Sequence, residues 1–418
     1  MRLVRVLCLL LLLPLGTCAP PPKEDAAPVR TEEELRAHAA DLAQRYLIID
    51  GHVDLPYRLK IKNFRLDKEY LGIPIETDEG DFDYVRAKEG GLDAPFMSIY
   101  IPSRLQEEPG ESPKLADSLI TMVKGIADAH PDKFRVAYGP EDVVANKKEG
   151  LISLPMGMEN GSPIEDQLSR VAAYKDKGIS YITLTHAKDN LISDSSYDTT
   201  GTHGGLSDFG HEVVREMNRV GIMVDVSHIS DNAFYDVMEL TDVPVIASHS
   251  SVRHYTPGFE RNMDDAMIKR LGEEDGVIQI NFGSTFLDGD LRTRQDSLRG
   301  VFLERMAAAG IENYGDEGTD ELQEAFTKEF PTLYSDVEMV ANHIDRVVEI
   351  AGVDHVGFGS DFDGVGDSLP TGLKDVSAFP NLIYVLLQRG YSDEDIEKMC
   401  SGNVLRVWRA VTAAAAAG

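Results

Sequence analysis

Short apolar runs rich in Val and Ile recur along the chain, separated by spacers of helix length. They fall at residues 46–50, 95–102, 151–156, 180–185, 222–226, 244–248, 276–281 and 356–360. Most lack a clean in/out alternation, which is how strands buried on both faces read in a parallel sheet. Amphipathic stretches at 163–177, 210–220, 264–273 and 335–351 lie between them, and a polar helix-like segment at 31–45 precedes the first. An alternating β/α order with eight strands predicts an α/β fold, a (β/α)8 TIM-like barrel. A doubly wound sheet is the rival, but no G-x-G-x-x-G follows any run. Two long insertions, 59–90 and 283–330, are rich in charge and Gly and are expected to be loops or short helices outside the barrel. There is no internal repeat.

The first residues read as an export signal rather than as part of this pattern. Arg2 and Arg5 precede an apolar stretch, Val6 to Leu15, which is too short to span a bilayer, a task that needs about 20 residues. The stretch ends Leu15-Gly16-Thr17-Cys18, similar to the cleavage box of a bacterial lipoprotein, in which the Cys is lipidated. Ordinary secretion with cleavage nearby is the alternative. The expected organisation is a signal peptide (1–17), a tether rich in Pro (18–30), one domain (31–412) and a frayed tail (413–418). The protein is then exported to the bacterial cell envelope, in the periplasm or anchored to the membrane by lipid on Cys18. Cys400 becomes the one remaining thiol, expected as a buried apolar side chain.

Composition narrows the function classes. With 418 residues, 42% hydrophobic and 27% charged, the chain is neither disordered nor a disulfide scaffold. A formal charge of −30 repels phosphate backbones, which excludes nucleic acid as a partner.

The chemistry follows from what closes each run, because barrel enzymes draw catalytic groups from the C-terminal ends of their strands. The first run closes Asp50-Gly51-His52-Val53-Asp54 and the third is followed by Gly157-Met158-Glu159-Asn160-Gly161. The fourth leads to Thr185-His186, the fifth to Ser227-His228, the sixth to Ser248-His249 and the eighth to Ser360-Asp361-Phe362-Asp363. His-x-Asp is weak by itself: it recurs at His130-Pro131-Asp132 in a turn and at His343-Ile344-Asp345 in a helical pattern. In the extended stretch at His52 and Asp54, however, both side chains project to one side and can meet one cation.

Taken together, three imidazoles, an Asp and a Glu suit Zn2+ or a similar ion. Five ligands exceed what one open catalytic zinc uses, but they suit two ions sharing a carboxylate. Glu159 is the natural bridge, with His52 and Asp54 completing one site and His228 and His249 the other. No run ends in a Lys that could serve as a carbamylated bridge. His38 and His211 read as surface or core-edge residues, and His355 falls on the stability face of the barrel. His203 and His254 are loop residues without an assigned role.

These motifs, together with Leu184-Thr185-His186, Asp225-Val226-Ser227-His228, Ser248-His249-Ser250-Ser251, Arg261-Asn262 and Gly357 to Gly364, resemble membrane (renal) dipeptidase and its bacterial homologues. The resemblance runs from about Tyr46 to Val411. It implies that His52, Asp54, Glu159, His228 and His249 bind two zinc ions bridged by Glu159. It further implies that His186 contacts the scissile carbonyl and stabilises its oxyanion. Arg261 would pair with the substrate's terminal carboxylate, and Asp361 would handle protons, with Asp363 the rival for that role. The mammalian cysteines and hydrophobic C-terminal tail are missing, so neither a disulfide-linked dimer nor a C-terminal anchor transfers, although a homodimer of another kind is compatible.

The expected activity is zinc-dependent hydrolysis of dipeptides by a hydroxide bridging the two metals. No nucleophile elbow accompanies the Ser and Thr residues near these histidines, so a serine triad is rejected. The alternatives are another carboxylate-bearing amide, such as an N-acyl amino acid or a β-lactam, or a binding lipoprotein that has lost catalysis.

Overall fold

A computed structural model describes residues 30–66, 75–311 and 318–417. The expected signal segment, Cys18 and all but the last residue of the tether lie outside the described residues. Ten strands form. In chain order they are β1 (Ile48–Val53), β2 (Leu92–Tyr100), β3 (Phe134–Val136), β4 (Ile152–Leu154), β5 (Met156–Glu159), β6 (Ile179–Thr183), β7 (Met223–Asp225), β8 (Ile246–Ser250), β9 (Val277–Ile280) and β10 (Val356–Phe358).

Eight of them close a parallel barrel in the order β1, β2, β5, β6, β7, β8, β9, β10 and back to β1. Every barrel-strand residue is buried except half-buried Tyr100, which accounts for the lack of alternation in the apolar runs.

The pattern and the structure part in three places. The third run is two strands, not one. Pro155 has no N–H for a ladder, and it separates β4, which pairs with β3 outside the barrel, from β5 inside it. Glu159 is therefore the last residue of a barrel strand rather than a loop residue three beyond one.

The insertion at 283–330 is not a set of loops or short helices. It contains a 20-residue helix, Gly289–Ala308, and a second helix, Thr319–Glu329. The Asp288 carboxylate caps the first by accepting from the backbone N–H groups of Asp290 and Leu291. Leu298, Phe302 and Met306, four residues apart, then pack on Leu322, Phe326 and Phe330 as a small core of their own.

Finally, the C-terminal alanines do not fray. They continue the helix Asn403–Ala417, as the helix propensity of Ala favours. Trp408, Val404, Val407 and Val411 of this helix pack against Ile49, Phe96, Tyr181, Met223 and Ile246. Cys400 is buried, as its apolar surroundings in sequence suggest.

Candidate metal centre and catalytic site

The ends of β1, β5, β7, β8 and β10 bring the five expected ligands and Asp361 together. Register does this: Glu159 pairs with Thr183, Thr183 with Asp225 and Asp225 with Ile246, so His228 and His249 each lie three residues beyond a paired position. Loops following these strands then turn back sharply. Asn160, His228, Asp361 and Asp363 all hold left-handed backbone, with φ from +64° to +78°. For a non-glycine residue that conformation is costly and tends to collect at functional sites.

Glu159 sits at the centre with its two oxygens divided. Oε2 lies 3.3 Å from His52 Nε2, which is in turn 3.4 Å from Asp54 Oδ2. Oε1 lies 3.1 Å from His228 Nε2 and 3.4 Å from His249 Nε2. The two groups are those expected for two ions sharing one carboxylate.

His186 lies beside the second group, its Nε2 3.5 Å from Oε1 and its ring against Tyr100 and His228. Geometry thus supplies six donors where the pattern had named five. The Asp361 carboxylate joins His52 and Asp54. Asp363 does not: its Oδ1 forms an ion pair with Arg58 Nε at 2.9 Å and accepts from the Asp81 N–H at 2.8 Å, which directs it into the loop at 77–83.

The ring orientations are set from behind. Tyr181 donates its hydroxyl proton to Gly51 O at 3.1 Å, so His52 Nδ1, 2.8 Å from the same oxygen, must be the donor there. Nε2 of His52 is left facing the carboxylates. Likewise the Ser248 hydroxyl donates to Asp225 Oδ2 at 2.6 Å and accepts from His249 Nδ1 at 2.7 Å, so His249 also points Nε2 inward. Asp225 is buried and accepts from Ser227 N, Ser248 N and the Thr183 and Ser248 hydroxyls. Such partners behind histidine ligands hold ring and tautomer for a metal.

Electrostatics prepares the same set. Burial, together with Arg261 and neighbouring histidines, holds His228 and His249 well below the ordinary histidine range, so both rings are neutral. Burial pushes Glu159 up, but His52, His186 and bonds from His228 and His249 outweigh it and keep the carboxylate ionised. Burial pushes His52 down, while Tyr181, Glu159 and Asp54 raise it well above 6.5 and prevail. Asp361, buried and facing the Asp54 charge, is pushed up to about 7. A carboxyl near neutrality can both take and give a proton.

His52 Nε2 is buried with no hydrogen-bond partner, and the inward nitrogens of His228 and His249 lie 2.9 Å apart. Imidazole nitrogens converging on a carboxylate fit divalent metal of borderline softness.

Arg261 is 2% exposed and, among the described residues, has no carboxylate within ion-pair range. Its Nη1 donates to Ser250 Oγ and its Nη2 to His249 O, both at 2.7 Å, and the guanidinium lies over Phe286. A buried cation without a counter-charge is costly, and an anion reaching it would relieve that cost. Tyr197 and Phe259 complete that wall, Tyr197 packing on the His228 ring and on Phe259.

Several of these residues escape a reading of strand ends. Tyr181 faces inward in mid-strand, and only its even spacing from Thr183 marks it. Asp225 and Ser248 stand in the motifs but gain a role only through their cross-strand contacts. Asn281, which closes β9, donates to Asp361 Oδ2 at 2.7 Å. His343, set aside as helical, is buried and structural, bonded to Val252 N and Leu287 O.

Comparison with known proteins adds the following. The family profile described as Membrane dipeptidase (Peptidase family M19) matches residues 36–417. Dipeptidase tcpJ of Claviceps purpurea (strain 20.1) is 31% identical over 374 residues, 88% of this chain and 77% of that relative. Among solved structures, the probable dipeptidase PvdM from Pseudomonas aeruginosa is 27% identical with a TM-score of 0.76, covering 91% of this chain and 99% of that one. A metallo peptidase from Rhodobacter sphaeroides, liganded with a phosphinate mimic of the dipeptide L-Ala-D-Ala, shares the fold at 24% identity and a TM-score of 0.70. That match covers 88% of this chain and 99% of that one.

Proposed function

The chain belongs to the membrane dipeptidase family, peptidase family M19, and from that premise we propose that it is a dipeptidase working with two zinc ions bridged by Glu159. The observation that carries the proposal is the division of the Glu159 carboxylate, one oxygen toward His52 and the other toward His228 and His249. His52 and Asp54 would hold one ion, His228 and His249 the other. Zinc bound there supplies Lewis acidity and makes water a nucleophile at neutral pH.

The remaining roles belong to the protein. Arg261 receives the terminal carboxylate of the dipeptide, which sets the scissile bond over the cluster. His186, neutral because burial lowers its pKa, donates a hydrogen bond to the carbonyl oxygen as negative charge develops. Asp361 takes the proton of the attacking water and returns it to the departing amine. Tyr100 packs edge to face on both Tyr57 and the His186 ring, which fixes that imidazole beside the cluster.

The sequence pattern supports reading this activity as exported, with residues 1–17 as the export signal and lipid on Cys18 as the tether to a bacterial envelope. Purified protein should hydrolyse simple dipeptides, lose activity on chelation and regain it with zinc. Hydrolysis of N-acyl amino acids or β-lactams with no turnover of dipeptides would redirect the reading to another amide.

A further inference from the structure

Asp361 is held from two directions. Its backbone N–H donates to His52 O at 3.1 Å, and its Oδ2 accepts from Asn281 Nδ2 at 2.7 Å. Asn281 is wholly buried, and its amide cannot turn over, because Oδ1 accepts from Gly283 N at 2.7 Å. Its backbone is tied to the end of β8, with N–H donating to Ser250 O and C=O accepting from Ser251 Oγ at 3.1 Å. Asn281 therefore always presents a donor to Asp361, and Oδ2 is always engaged.

The other oxygen, Oδ1, lies on the Asp54 side. Asp361 Oδ1 and Asp54 Oδ2 flank Gly364, each 2.2 Å from the point where a Cβ would stand, so Oδ1 faces the metal group. Resting on the reading of Asp361 as the proton carrier, we propose that Asn281 is a positioning residue that keeps Oδ2 occupied and aims Oδ1 at the reacting water. An amide suits this task because it donates without changing charge through the catalytic cycle.

The test is a double-mutant cycle on the zinc-loaded enzyme with Asn281→Ala, Asn281→Asp, Asp361→Asn and the double variant Asn281→Ala/Asp361→Asn. A hydrogen bond to a charged group sets the expected scale. Asn281→Ala should lose roughly 10- to 100-fold in kcat at near-normal KM, with zinc content and melting temperature retained. Asn281→Asp, the same shape without the donor, should lose at least as much. In the Asp361→Asn background the further loss should be under about 3-fold, because the group being positioned is already gone. A crystal structure of Asn281→Ala should show the Asp361 carboxylate turned from its present orientation.

Equal losses in both backgrounds, a normal kcat for Asn281→Ala, or a fall in zinc content matching the fall in kcat would each overturn the proposal. A near-normal kcat for Asp361→Asn itself would instead remove the proton-carrier reading, and this inference with it.

Discussion

Replacing Gly364 by Ala puts one carbon where two carboxylates converge. A Cβ built there stands 2.2 Å from both Asp361 Oδ1 and Asp54 Oδ2, whereas real Cβ atoms almost never come within 3.0 Å of another heavy atom. Each oxygen must therefore withdraw by about 1 Å, and a misplacement of that size at reacting groups costs about 10²-fold. The obstructing atoms are side-chain tips rather than backbone, so the barrel itself has room to accept the change. Gly364→Ala is thus expected to fold and melt near the parent temperature, with kcat for dipeptides down roughly 100-fold and zinc held less tightly on the Asp54 side. The assay pairs steady-state kinetics with zinc titration and thermal melting. Gly300→Ala is the control, since a Cβ there meets nothing within 4 Å. A Gly364→Ala enzyme within about 3-fold of the parent kcat would refute the reasoning, because an effect that small is below the general acid–base scale of 10²–10⁴.

Other outcomes follow from the same geometry. Glu159→Gln should empty both metal positions together, whereas His228→Ala should mainly empty one, as elemental analysis of dialysed protein would report. Glu159 and Asp54 hold a proton on His52 whose lone pair zinc must take, so binding should release about one proton near pH 7 and tighten as pH rises. Calorimetry in buffers of different ionisation enthalpy reads this, and affinity independent of pH between 6 and 8 would contradict it. Arg261→Lys keeps the charge but loses the fork, so KM for free dipeptides should rise far more than KM for carboxy-amidated ones. Equal effects on both substrates would make Arg261 structural. Cys18→Ala should release the protein from membranes into the soluble envelope fraction, and unchanged membrane association would remove the lipid tether.

The barrel was legible because burial on both faces leaves unbroken Val and Ile runs, and each of the eight runs overlaps a strand of the barrel. Where reading failed, non-local effects were responsible. Pro155 lies inside an apolar run, and only the pairing of β4 with β3 shows that it divides two sheets. The seam of Leu298, Phe302 and Met306 is too narrow to stand out until its partners Phe326 and Phe330 are opposite it.

The clustering was readable for a different reason: the fold gathers strand ends, so His52, Glu159, His228 and His249 are brought together by position alone. The groups that orient them are not. Tyr181 acts on His52 across 129 positions of sequence, and Asn281 acts on Asp361 across 80. A contact of that kind depends on register and stagger, which no local spacing encodes. Asp361 and Asp363 were indistinguishable by spacing until Arg58 and Asp81 were seen to engage the latter.

The claim on which the rest depends is that Glu159 divides its oxygens between two metal ions. Anomalous diffraction at the zinc edge, from crystals of active enzyme, tests it directly. Two peaks flanking the Glu159 carboxylate are expected, one beside His52 and Asp54 and the other beside His228 and His249. A single peak, or none, in enzyme that retains full activity would contradict it.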